Sequence, residues 1–344
     1  MKLTRRSLTL IELLLVLMIL AALAASAASF VEESDDQFRY QDTQNRLTSI
    51  REGILGDAGG GRARHAGFAA DLGRLPLATR ELLELPALAA PPVQGQTLEW
   101  SIDDGSAGLL ASLRGADKAT GLGFGWRGPY LSSLPNIAGD VLYADGWGNG
   151  VGDATNFGWE WRGEVEDASG DPRDQDLVVR SLGRGGLADG SPPPSPTDYA
   201  RDYPATPLIV SEDYAVLLTG QAFSVHVVNN DTSQRTLRLR VRYFGFKDAS
   251  DRPTFLGTAP AQVSLFSDSI DFEATADRTQ SFAFKLSGDR HYLPLGRVAF
   301  DLVDDGTQEV SVAPGSYTTL GPIQLVEVRP RAGISLPSFT VTLE

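Results

Sequence analysis

Residues 8–30 read LTLIELLLVLMILAALAASAASF, an apolar run broken by a single charge, Glu12. At about 1.5 Å per residue such a run makes a helix of roughly 34 Å, enough to cross a hydrocarbon core of about 30 Å. A carboxylate inside an apolar span costs about 3 kcal/mol on insertion scales, so Glu12 needs a partner. The preceding MKLTRRS carries Lys2, Arg5 and Arg6 and no acid. A basic start followed by an apolar run is the layout of a membrane-targeted chain. Three readings compete. An ordinary signal peptide would be cut at Ala25-Ser26-Ala27, and a twin-arginine signal would use Thr4-Arg5-Arg6-Ser7-Leu8. Both leave Glu12 as an unexplained penalty.

The third reading accounts for it. Ser7-Leu8-Thr9-Leu10-Ile11-Glu12-Leu13-Leu14 resembles the prepilin signature of type IV pilins and type II secretion pseudopilins. The resemblance implies that prepilin peptidase cuts between Ser7 and Leu8 and that the new N-terminus, Leu8, is methylated. It implies that Glu12 serves assembly, neutralised by the terminal amine of a neighbouring subunit. It also implies partners: other pilin or pseudopilin subunits and an inner-membrane assembly platform. The expected location is the bacterial inner membrane, single-pass, with the head in the periplasm or carried into a periplasmic or cell-surface filament. Physically, an ammonium and a carboxylate that must both leave water are best placed against each other.

Beyond Phe30 the chain stays free of Gly and Pro until Gly53. A helix from Leu8 to about Ile54 would be roughly 70 Å long. Across the 344 residues, 30 Lys+Arg stand against 44 Asp+Glu, a formal net charge of -14. That excludes a nucleic-acid binder, which needs a basic face to displace counterions from phosphates. With no cysteine there is neither a disulfide framework nor a thiolate metal site. The 36 Gly and 20 Pro predict many turns and short strands rather than a helical bundle.

In the middle of the chain, Gly73-Arg74-Leu75-Pro76 followed by Thr79-Arg80-Glu81-Leu82-Leu83 resembles the pilin-family turn that leads into a helix; taken alone it is a turn signal. Gly123-Phe124-Gly125-Trp126-Arg127-Gly128 fits G-x-G-x-x-G formally. A dinucleotide site is rejected there, because Pro129 follows where a helix should start and no βαβ unit surrounds it. Gly128-Pro129-Tyr130-Leu131 and Asp145-Gly146-Trp147-Gly148-Asn149 resemble the "GPYL" strand and "D-x-WGN" turn of the major pseudopilin, with Trp147 expected as a core or hairpin anchor. After a strand expected at 175–180, the segment 181–190, SLGRGGLADG, resembles that family's calcium loop. The resemblance implies calcium as the possible cofactor and Asp189, Asp198 and Asp202 as oxygen ligands, with a solvated acidic loop as the alternative.

Residues 191–207, SPPPSPTDYARDYPATP, read as a Pro-rich linker. Beyond it the pattern turns all-β, clearest in Thr236-Leu237-Arg238-Leu239-Arg240-Val241-Arg242-Tyr243, where apolar and other residues alternate. Further strands are expected at 222–228, 261–266, 281–286, 296–303, 323–328 and 339–343, enough for a β-sandwich. Arg238, Arg240 and Arg242 read as a solvated basic stripe. His65, His226 and His291 share no ligand or triad spacing, and no nucleophile elbow, P-loop or zinc-protease motif is present.

The expected fold class is therefore α+β. After a leader over 1–7 comes a long N-terminal helix over 8–55, membrane-spanning over 8–30. A pilin-like α/β head over 56–190, the linker, and an all-β sandwich-like domain over 208–344 complete it. The expected function is that of a minor, low-copy structural subunit of a type IV pilus or type II secretion pseudopilus, not an enzyme. The alternative is an exported, membrane-anchored or periplasmic binding or adhesion protein that forms no filament. Either way the sandwich would have a ligand whose identity is open.

Overall fold

In a computed structural model, the structure describes residues 10–56, 67–85, 101–102, 122–133, 142–149, 153–165, 175–186, 204, 206–247, 253–255, 259–284, 291–304, 319–329 and 334–343. The segment without Gly or Pro forms one helix, α1 (Leu10–Leu55), of 46 residues. Its halves differ. Toward the N-terminus large apolar side chains stand in the open all round the helix, Leu10 at 82% and Met18 at 72% exposure among them. Toward the C-terminus Thr43, Leu47, Ile50 and Ile54, at spacings of four, three and four, are buried. That is the stripe by which an amphipathic helix packs on a globular core.

The expected class is corrected on this point. Among the described residues no helix is long and apolar enough to cross a membrane. Strand also outweighs helix, 39% against 26%, so the chain is mainly β with one long helix rather than an α+β protein with a membrane-spanning helix. The physical reason is length. The apolar side chains that the structure describes, residues 10–25, give about 24 Å of helix, short of a core of about 30 Å, and Glu12 lies among them.

Next to α1 lie a short helix α2 (Phe68–Leu72), a 3₁₀ turn (Thr79–Leu82), a two-residue pair β1 (Ser101–Ile102) and β2 (Gly123–Phe124), and a hairpin-like pair β3 (Trp159–Val165) and β4 (Gln175–Ser181). β3 and β4 run antiparallel with Trp159 opposite Ser181. The expected "GPYL" strand is not formed: Gly128–Leu131 is irregular chain, fixed by Tyr130 N and Leu131 N donating to Leu82 O.

After the one-turn helix α3 (Ser211–Tyr214) come β5 (Ala215–Leu217), β6 (Ala222–Asn229), β7 (Arg235–Lys247), β8 (Pro253–Thr254), β9 (Ala259–Phe266) and β10 (Ile270–Phe272). β11 (Asp277–Ala283), β12 (Tyr292–Pro294), β13 (Gly296–Asp304), β14 (Thr319–Val328) and β15 (Thr340–Leu343) follow. The large sheet has the order β10-β7-β13-β14, with β8 and β9 also on β7; the small one is β11-β6-β15; β5 pairs with β12. β15 joins β6 in parallel.

Alternation along β7 and β13 gives the large sheet two distinct faces. Leu237, Leu239, Val241, Phe300 and Leu302 meet Phe223, Val225, Phe282 and Val341 of the small sheet in one core, two sheets face to face. The opposite face is covered too. Phe244, Phe246 and Ala299 share a second core with Ile50, Ile54, Phe68, Leu72 and Phe124. Apolar packing is therefore continuous from α1 into the C-terminal sheet. This corrects the reading of the arginine stripe: Arg240 and Arg242 are 2% and 1% exposed and Arg238 is half-buried. Arg240 donates to both oxygens of fully buried Asp301, at 3.2 and 2.6 Å, and Arg242 lies 3.3 Å from the same carboxylate. Guanidinium groups on a doubly covered sheet need such a counter-charge.

Candidate assembly surface and its supports

The largest feature left without a covering layer among the described residues is the apolar half of α1. Isolated exposed leucines are ordinary, but a contiguous run around a whole helix is not. Glu12 is exposed in the first turn of α1, where a carboxylate is favoured by the unpaired amide groups of the helix start. Ser7 and Leu8, the expected processing pair, lie outside the described residues. So do Asp189, Asp198 and Asp202, the expected calcium ligands. Among the described residues no cluster of three His or acidic groups is placed to hold a metal.

The two pseudopilin-like motifs do converge, and they converge on α1. Asp145, 3% exposed, is the knot. Its Oδ2 accepts Ser181 Oγ at 2.6 Å and Asn149 Nδ2 at 2.8 Å; its Oδ1 accepts the main-chain amides of Trp147 and Asn149, both at 3.1 Å. Asn149 Nδ2 also donates to Gly183 O at 2.8 Å, and Gly183 N donates to Ser181 Oγ at 3.0 Å, which ties the 145–149 turn to the 181–186 loop. A carboxylate accepting so many donors keeps its charge satisfied without solvent.

The knot is fastened to the helix at close range. Gly146 N donates to Thr43 Oγ1 at 2.9 Å, and Thr43 donates in turn to Arg39 O at 2.8 Å. A side chain at Gly146 would come within 2.2 Å of Arg39 O, so only glycine permits this approach. Arg46 donates to Ala144 O at 2.7 Å, and Arg184 pairs with Asp36 at 2.9 Å. Arg184, expected in the calcium loop, thus reaches α1 instead. Trp147 is only half-buried; the tryptophan that anchors this region is Trp159, buried and donating to Tyr143 O at 2.6 Å.

A second support joins this unit to the large sheet. Gly73 has φ of +63°, and a Cβ there would sit 2.4 Å from Phe244 O. The next side chain, Arg74, lies over the rings of Phe68 and Phe246, with centroids at 5.2 and 4.8 Å, and grips Glu81 through two hydrogen bonds of 2.8 and 2.9 Å. Leu75 N donates to Phe255 O at 2.8 Å. Gly73-Arg74-Leu75-Pro76, read from the sequence as a turn, is a docking clamp. Sequence reasoning missed its partners Phe244, Phe246 and Phe255, and the one available signal was the phenylalanine-rich end of β7.

Of the histidines, His226 is exposed on β6, its Nε2 3.1 Å from Asp277, while half-buried His291 has its backbone amide on Thr219 Oγ1 at 2.8 Å; His65 lies outside the described residues. The described residues thus define a class: a mainly β protein, braced by two polar clamps, that presents one apolar helix end. Set against family models, curated proteins and solved structures, the chain matches none.

Proposed function

We propose that the protein is a structural subunit, minor and low in copy, of a type IV pilus or type II secretion pseudopilus, assembled through α1. The observation that carries the reading is the contrast within that helix. Its C-terminal half is clamped through Thr43, Arg46 and Asp36, while its N-terminal half presents leucine on all sides. A helix apolar all round is stable only when other apolar surface surrounds it, and the apolar helices of neighbouring subunits would do so. Glu12 would face the amine of a neighbour's Leu8 there, as the prepilin-like residues imply. Before assembly the apolar end holds the chain at the bacterial inner membrane with its head in the periplasm, within reach of prepilin peptidase and the assembly platform.

The bulk of the C-terminal sandwich favours a low copy number, because it would crowd a densely packed filament. N-terminal mass spectrometry of the mature protein tests the reading. A chain beginning at methylated Leu8 supports it; a chain beginning near residue 28 refutes it and points to an exported binding or adhesion protein. In the same cells Glu12→Ala should abolish recovery with filaments while leaving the head folded.

A further inference from the structure

Asp71, on α2, is 2% exposed, an uncommon position for a carboxylate. Its Oδ2 accepts the Tyr130 hydroxyl at 2.8 Å, and its Oδ1 lies 3.5 Å from Arg127 Nε. Tyr130's oxygen accepts the main-chain amide of Arg127 at 3.0 Å, so the two residues are held together from both ends. The backbone beneath is fixed, with Gly125 N donating to Asp71 O at 3.0 Å. Arg127's side chain itself is 46% exposed, at the border of the cluster.

The other elements packed here bring no rival charge to this carboxylate among the described residues. α1 contributes Ile50 and Ile54, β7 contributes Phe244 and β13 contributes Ala299, all apolar. Arg74, close in sequence, is turned onto Glu81, and Arg51 of α1 onto Asp213 at 2.7 Å. Burial pushes the Asp71 carboxyl up to about 6, the largest effect, against the pull of the Tyr130 hydrogen bond and the Arg127 charge.

We infer that Arg127 is a proton-controlled clasp, closed over Asp71 when the carboxylate is ionised and released when Asp71 takes a proton from solvent. The neutral acid keeps the Tyr130 bond through Oδ2 and loses the coulombic hold on the guanidinium. A half-exposed arginine then has more to gain from water than from a neutral oxygen 3.5 Å away. The chain thereby presents an extra solvated positive charge beside Gly128 in a mildly acidic medium and a neutral ion pair above it.

The test uses the full chain and is independent of the filament reading. Denaturation midpoints of wild type, Arg127→Ala, Asp71→Asn and the double variant are compared at pH 7.5 and pH 4.5. The clasp predicts that Arg127→Ala lowers the midpoint at pH 7.5, that the loss disappears at pH 4.5, and that it is absent at both pH values when Asp71→Asn is also present. A loss from Arg127→Ala that is the same at both pH values, or the same in the Asp71→Asn background, overturns the inference. A readout on the unsubstituted protein is the protection factor of the Arg127 Nε proton, which should drop as pH falls through 6 and would remain constant if the side chain stayed in place.

Discussion

Replacing Gly73 by alanine tests whether the helical part of the protein and the large sheet are one packed body. Two penalties add at this position. The first is conformational: at φ +63° an L-residue costs about 1 kcal/mol relative to glycine. The second is steric, because the new methyl carbon would lie 2.4 Å from Phe244 O and 3.2 Å from Gly245 Cα, both main-chain atoms with little room to give. Relief requires α2 and β7 to part by roughly an ångström, and separations of that size forfeit a quarter to a half of each contact's attraction. The pairs loosened include Phe124 against Phe244 and Arg74 against Phe246. The expected loss is therefore about 3–5 kcal/mol, in the range of a large core truncation. Gly148 is the control. Its φ is +76° and a Cβ there meets nothing within 4 Å, so Gly148→Ala should lose only the conformational part, about 1 kcal/mol. Urea unfolding of the full chain, followed by tryptophan fluorescence, measures both. Equal losses for the two alanines would refute the close docking of α2 on β7.

Asp145→Ala removes the acceptor of Ser181, Asn149 and two main-chain amides; unfolding should show a loss of about 3 kcal/mol or more, with protection from hydrogen exchange lost at 145–149 and 181–186 together. Asp301→Asn leaves Arg240 and Arg242 without that counter-charge inside the protein and should destabilise by about 3–5 kcal/mol, whereas a small effect would show solvent at this face. On α1, Leu47→Ala should lose about 2–5 kcal/mol, while Phe38→Ser, on the exposed side, should stay within about 0.5 kcal/mol for the isolated chain. The stability of wild type relative to Asp71→Asn should fall as pH rises from about 4 to about 6 and then level off. In that window the folded state holds a proton that the unfolded chain, with an Asp pKa near 3.8, has released.

Period-two patterning located most of the strands because it is a local property: Ala222–Asn229, Gly296–Asp304 and the middle of Arg235–Lys247 follow it. It shows that a strand has two faces and not what covers each. Arg240 and Arg242 alternate with Leu239 and Val241 as a wetted face would, yet that side lies beneath other parts of the protein and is neutralised by Asp301, some sixty residues along the chain. The short pieces Ile270–Phe272 and Tyr292–Pro294 are invisible for the opposite reason, three residues being too few to set up a period. The supports divide in the same way. Gly73, Asp145 and Gly146 announce turns by their chemistry, but Thr43, Ser181 and Phe244, which give those turns their purpose, are distant in sequence and ordinary in type. Length misleads the fold class at α1, where helix and apolar run read as one span although the described apolar side chains end well before the helix does.

The parallel pairing of β15 with β6 bears on how the protein reaches its fold. Thr340 lies beside His226 and Leu343 beside Asn229, with almost the whole large sheet in between along the sequence. When a chain is delivered from its N-terminus, β6 and β11 are ready long before β15, and one edge of that pair stays bare, with Val225 and Val227 short of their cover. Bare strand edges recruit other chains, and non-local pairings close slowly. The small sheet is thus the last to be sealed, and residues 340–343 act as its closure. Their deletion should lower the yield of soluble protein more than four lightly packed residues would suggest.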